Sequence, residues 1–310
     1  MTLKNIDKNK NKNLIVMYHY IRKKFENKIK LNSLNIEDFK KQINFLEKNG
    51  NFINPLDLRN KFFLGKNLLT FDDGYADHFK HVFPVLKKKN IKAIFFLSAR
   101  VYEKKEFLDV NKIQLIVNNL KKSNLIPTLE LIVNKFSKKK IVLSKIIKKN
   151  LTRRNKYDAK SVDDFKKLIQ FLLPSKISKQ SLDEFFYNHL NIDHDKLFKN
   201  FYLSIDQILE MHENGMIFGN HTLSHPYLSK LSYKEQSAEI MKNEIFLNKM
   251  KLLKKIKCFC YPYGQFNNNT IKIIKRLRYD FAFTVNQGYM NVKQPLLLNR
   301  VDTNEIKNFS

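Results

Sequence analysis

The feature that most restricts what this chain can fold into is an alternation. Short apolar runs, several ending in polar clusters, are separated by segments of helical period. The first run is Leu14 to Tyr20. A helical stripe follows at Ile36, Phe39, Ile43 and Leu46, with Asn35 expected as N-cap and Gly50 as the residue past the C-terminus. Leu68 to Phe71 is a second run and Ile91 to Leu97 a third. The pattern resumes at Ser204, which with Gln207 spells a capping box, as Ser232 does with Glu235. Further runs are Met216 to Phe218, Ile256 to Tyr261, Phe281 to Val285 and Leu296 to Val301, with a helix from Asn269 or Thr270 to about Arg278. Strands alternating with helices of this length imply parallel βα units.

Residues 101–200 break the alternation. They carry helical stripes such as Ile113, Leu115, Ile116 and Leu120, and no clear strand. The expected organisation is a leader without structure at 1–13, an α/β domain from 14–100 and 201–310, and a helical insertion at 101–200. A hydrophobic content of 43% excludes a disordered chain. Two cysteines, Cys258 and Cys260, cannot build a disulfide framework. No stretch reaches the roughly 18 apolar residues of a membrane span, and no signal-peptide pattern is seen, so a cytoplasmic location is expected. The net charge is +29, from 58 Lys and Arg against 29 Asp and Glu. That excess suits an anionic partner, or reflects biased residue usage; it is spread along the chain, which favours the second. A basic nucleic-acid- or membrane-binding module is the rival class. No nucleic-acid motif accompanies the charge, so nucleic acid is not an expected partner.

Three polar clusters lie at the carboxyl ends of expected strands, where parallel α/β folds place their sites. They are Thr70-Phe71-Asp72-Asp73-Gly74-Tyr75, His221-Thr222-Leu223-Ser224-His225 and Tyr261-Pro262-Tyr263-Gly264. Adjacent carboxylates can divide their work, one binding a metal and one facing substrate. Histidines at i and i+4 can reach one ion, and two His plus a carboxylate leave positions open on it. The other Asp is then a base for water.

These residues resemble the polysaccharide deacetylase family, the NodB-homology or carbohydrate esterase family 4 group. TFDDGY, HTLSH and YPYG are similar to its motifs, MYHYI to its first-strand element and LLLNRVD to its late strand, over about 14–100 and 201–303. The resemblance implies a distorted (β/α) barrel of about seven strands. It implies a divalent metal, usually zinc, on Asp73, His221 and His225, and hydrolysis of an acetyl group on a sugar. Asp72 is the implied base. Tyr263 would offer its N–H to the oxyanion and its ring to substrate, with Pro262 and Tyr75 also lining the site and Thr222 steadying the loop. Cys260 stands where the family's usual third motif has Arg, which makes Arg300 the candidate for orienting Asp72. The usual late-strand His is not evident, which makes His19 the candidate acid. The expected substrate is an N-acetylated sugar, lipid- or nucleotide-linked as a precursor of surface polysaccharide, with peripheral association to an anionic membrane. Deformylation, O-deacetylation and amide hydrolysis on a non-sugar are the alternatives within the family.

Overall fold

The apolar runs become parallel strands. The computed structural model describes residues 13–23, 29–60, 65–150, 158–253 and 255–306. Among these are nine strands: β1 (Leu14–Tyr18), β2 (Ile21–Arg22), β3 (Leu34–Asn35), β4 (Asn67–Phe71), β5 (Ile94–Leu97), β6 (Ile217–Asn220), β7 (Cys258–Cys260), β8 (Phe281–Gln287) and β9 (Leu298–Asp302). Seven close into a barrel in the order β1-β4-β5-β6-β7-β8-β9, and β2 pairs with β3 apart from it. The closing pair sets Val16 opposite Val301 and Met17 opposite Asp302. All its pairings are parallel, as the alternating pattern requires.

Strand parity sorts the side chains into two layers. Ile15, Leu68, Ile94, Phe96, Ile217, Cys258, Cys260, Phe283 and Leu298 pack together from strands all around the barrel, so they fill its interior. Their neighbours Val16, Leu69, Phe95 and Phe218 pack outward with helix residues such as Phe39, Leu86, Met211 and Leu247.

The described residues form two compact units. The barrel unit holds residues 33–106 and 198–306 with the N-terminal strands. Its helices are α1 (Ile36–Lys48), α2 (Phe83–Lys88) and α3 (Arg100–Lys104), resuming after the second unit. The second unit, residues 107–197 with 29–32, is helical. It contains α4 (Asp109–Asn119), α5 (Leu125–Phe136), α6 (Leu143–Lys149), α7 (Lys160–Lys167) and α8 (Ser175–His189). Phe185 and Phe186 pack edge-on against Phe165 and Phe107 in its core. The helix α9 (His194–Phe201) leads back to the barrel, followed by α10 (Ile205–Glu213), α11 (Tyr233–Lys249) and α12 (Asn268–Arg276). No helix among the described residues is long and apolar enough to cross a membrane.

Local signals fared according to their strength. Asn35 caps α1 through Glu37 N, and both serine capping boxes form. Gly50 has φ +148°, and a Cβ there would lie 2.1 Å from the Gly65 carbonyl oxygen. The first run stops at Tyr18, and β5 starts at Ile94 because Ile91 N closes α2 on Leu86 O. Helix α12 is capped by Asn267, two residues before the expected start, and ends at Arg276. The expected leader falls on residues 1–12, outside those described, and Asn13.

Candidate active site

The parity that fills the barrel also delivers its chemistry. His19, Asp72 and His221 each follow the last residue of a strand, four positions beyond the interior residues Ile15, Leu68 and Ile217. Cys260 and Arg300 are two beyond Cys258 and Leu298. Even steps keep one facing, so all five converge at the carboxyl ends of the strands.

Asp73, His221 and His225 form one group, each offering a ligand atom within 4.8 Å of the others. Asp73 Oδ1 lies 3.5 Å from Nε2 of both histidines. It is buried and has no hydrogen-bond partner among the described residues. Its other oxygen accepts a 2.5 Å bond from the Tyr75 hydroxyl. His221 Nδ1 is 2.9 Å from the Cys260 carbonyl, which can only accept. The proton therefore sits on Nδ1, and Nε2 faces Asp73 bare. Burial, with the nearby His225, lowers the His221 pKa to about 4, so the ring is neutral at pH 7. A lone carboxylate oxygen and two imidazole nitrogens fit a divalent cation.

Asp72 serves a different partner. Arg300 donates to both its oxygens at 2.8 Å, while Arg300 Nε donates to Thr284 O and its Nη1 to Thr70 Oγ1. Burial alone would raise the Asp72 pKa. The Arg300 charge, then His221 and the Arg300 hydrogen bonds, overcome this and hold it far below the carboxylate range. Cys260 Sγ lies 3.1 Å from Arg300 Nη2 and 3.7 Å from Asp72 Oδ2. Asp72, His221 and Cys260 also cluster closely enough to suggest ligation. Burial pushes the Cys260 thiol up, and Arg300 already occupies both Asp72 oxygens and contacts the sulfur, which makes this the weaker metal set. His19 Nε2 stands 3.8 Å from Asp72 Oδ2, with its side chain 37% exposed.

The loops are held in strained backbone. Asp73, Thr222, His225 and Tyr263 all have φ between 55° and 68°. Such residues cost roughly 1–3 kcal/mol each and persist where surroundings over-determine them. Here Asn220 Oδ1 accepts from Thr222 N, Thr222 Oγ1 from His225 N, and Glu239 takes both the N–H and hydroxyl of Ser224. Buried Asn243 ties this loop to β5, donating to Asn220 Oδ1 and Leu97 O.

The remaining candidates are placed unevenly. Pro262 is buried, and the Tyr263 ring stands 4.6 Å from that of His225. It stacks at 3.9 Å on Tyr227, a partner that no motif announced. Tyr75 corrects an expectation: its ring is fully buried and its hydroxyl binds Asp73, so it orients a carboxylate and is not available to substrate. His78 and His81 are helical and buried.

The sequence model of the polysaccharide deacetylase family matches residues 65–124 and 171–282, more than half the chain. It reaches further into the helical middle than the motif resemblance does, leaving out 125–170. No curated protein matches significantly. Among solved structures, deacetylase PplD of Streptococcus pyogenes in complex with acetate is 21% identical, with TM-score 0.57 over 94% of this chain and 92% of that one. IcaB from Ammonifex degensii is 19% identical, with TM-score 0.54 over 94% and 91%. A de-N-acetylase from Aggregatibacter actinomycetemcomitans is 16% identical, with TM-score 0.55 over 97% and 100%. These likenesses show a shared fold. The family match itself takes in the paired aspartates, both loop histidines and the Tyr263 turn that one barrel end assembles, and the chain accordingly belongs to the polysaccharide deacetylase family, hydrolases of the carbon–nitrogen bonds of acetylated sugars.

Proposed function

We propose that this chain removes an N-acetyl group from an amino sugar, with Asp73, His221 and His225 holding a divalent ion, zinc by the character of its ligands. When bound, such an ion polarises the acyl carbonyl and lowers the pKa of water. Asp72, kept ionised by Arg300, accepts the proton of the attacking water. His19, on the solvent side of Asp72, gives a proton to the departing amine. The Tyr263 backbone N–H faces the developing oxyanion, and its ring lines the sugar's path. Tyr75 fixes Asp73 from behind.

One observation supports this above all. A ligand-type cluster with an unsatisfied carboxylate oxygen adjoins a second carboxylate clamped by a buried arginine, with an accessible histidine 3.8 Å away. We further take the substrate to be a lipid- or nucleotide-linked precursor of surface polysaccharide, handled in the cytoplasm at an anionic membrane. The net charge of +29 suits a phosphate-bearing carrier and equally reflects biased residue usage.

Metal analysis combined with acetate release from N-acetylglucosamine oligomers tests the reading. Asp72→Asn is expected to retain metal and lose roughly 10²–10⁴ in kcat. Asp73→Asn is expected to lose metal. Equal metal loss in both variants refutes the division between the two aspartates. Failure to release acetate from any N-acetylated sugar refutes the activity.

A further inference from the structure

The backbone that carries His19 is held from behind by the residues just after the Asp72-Asp73 pair. His78 opens a π-helical turn, His78–Val82. Such turns gather at functional sites because they redirect one side chain. The His78 ring is wholly buried, with Phe71, Tyr75 and Phe95 at centroid distances of 5.3, 5.6 and 5.6 Å. Its Nε2 lies 2.8 Å from the carbonyl oxygen of His19. That carbonyl can only accept, so Nε2 carries the proton and Nδ1 is bare. Nδ1 is buried without a hydrogen-bond partner among the described residues. An unpaired buried acceptor is unfavourable, and an apolar side chain would avoid it. What the imidazole uniquely supplies here is the donor aimed at His19. Two neighbours brace the same segment: Arg22 Nε donates to Asp77 Oδ2 at 2.6 Å, and Tyr20 stacks on Tyr75 at 4.0 Å.

We propose that His78 is a positioning residue, whose Nε2–H holds the His19 carbonyl and thereby fixes the His19 imidazole beside Asp72. Anchoring that carbonyl sets ψ of His19, and with it the ring's reach into the barrel mouth. The inference rests on reading His19 as the acid for the leaving amine.

The test compares two substrates. An N-acetylglucosamine tetramer leaves as an amine that needs a proton; 4-nitrophenyl acetate leaves as a phenolate that does not. His78→Leu is expected to lower amide kcat by about 10–100-fold, the effect of an ångström-scale misplacement. KM and ester hydrolysis are expected to stay within about twofold, since neither draws on a misplaced acid. His78→Gln, whose amide reaches the Nε2 position, is expected to restore most of the rate; His78→Asn, which is shorter, is not. These two decide the question should His78→Leu not fold. In a His19→Ala background His78→Leu is expected to add no further loss. Multiplicative loss there, or equal loss on ester and amide, overturns the role of His78 alone. An unimpaired His19→Ala overturns the acid reading, and this proposal with it. Imidazole ¹⁵N spectra need no substrate: Nε2 protonation of His78 is expected, and an Nδ1-protonated ring refutes the contact.

Discussion

Removing Arg300 should expose how the site keeps a carboxylate charged inside a barrel. Arg300 is 1% exposed and gives Asp72 two bonds of 2.8 Å. In Arg300→Met the carboxylate loses both bonds and stays buried. Deleting one partner of a buried pair costs roughly 3–5 kcal/mol, because the other charge is left uncompensated. Asp72→Asn strands the guanidinium and should cost a similar amount. The double variant strands neither, so its loss should fall well short of the sum, a coupling of at least about 2 kcal/mol. Urea unfolding in EDTA measures this without the contribution of bound metal. The folded pKa of Asp72 lies below its unfolded value, so its contribution is present above the ordinary carboxylate range and fades as the pH falls. The gap between wild type and Arg300→Met should be wide at pH 7 and should shrink progressively as the pH falls below about 4 towards the low folded pKa of Asp72. Single-variant losses that add to within about 0.5 kcal/mol would refute the clamp.

Three further outcomes follow from the geometry. Tyr75→Phe removes the hydroxyl that orients Asp73 and should weaken metal affinity by about 10–100-fold in a chelator competition, with the melting temperature little changed. Gly264→Ala forces φ +66° on a side chain whose Cβ would meet Val285 Cγ2 at 2.2 Å; it should lose at least about 2 kcal/mol in urea, and wild-type stability would sink that account. Burial pushes both thiols up, so Ellman's reagent should label neither cysteine in the native protein and both in urea; rapid native labelling would contradict the packing.

Much of the barrel was readable because its signals are local. Serines 204 and 232 announce their helices within four residues, and apolar runs bounded by polar clusters mark β1, β4 and β6. What escaped is what only packing decides. Strands β2 and β3 have two residues each and no period to detect. Three asparagines in a row, Asn267 to Asn269, offer equivalent caps, and tertiary context selects the first. The pairing of Arg300 with Asp72 spans 228 residues and came from the motif's missing arginine, not from spacing. The Tyr75 hydroxyl and the His78 donor gave no sequence signal, because their direction depends on a turn whose geometry is set by neighbouring strands.

Closure of the barrel by β9 on β1 has a consequence for when the protein becomes competent. The acid candidate is at position 19 and the clamp at position 300, on strands that meet only when the ring is complete. During synthesis a chain can emerge with its paired aspartates and both loop histidines while Asp72 still lacks its counter-charge. Contacts of such long separation form late, since the loop entropy is spent before they repay it. A partly made or unzipped barrel therefore keeps the Asp73, His221 and His225 cluster yet holds Asp72 without its counter-charge. The charge state of Asp72 thus reports on the integrity of a single seam.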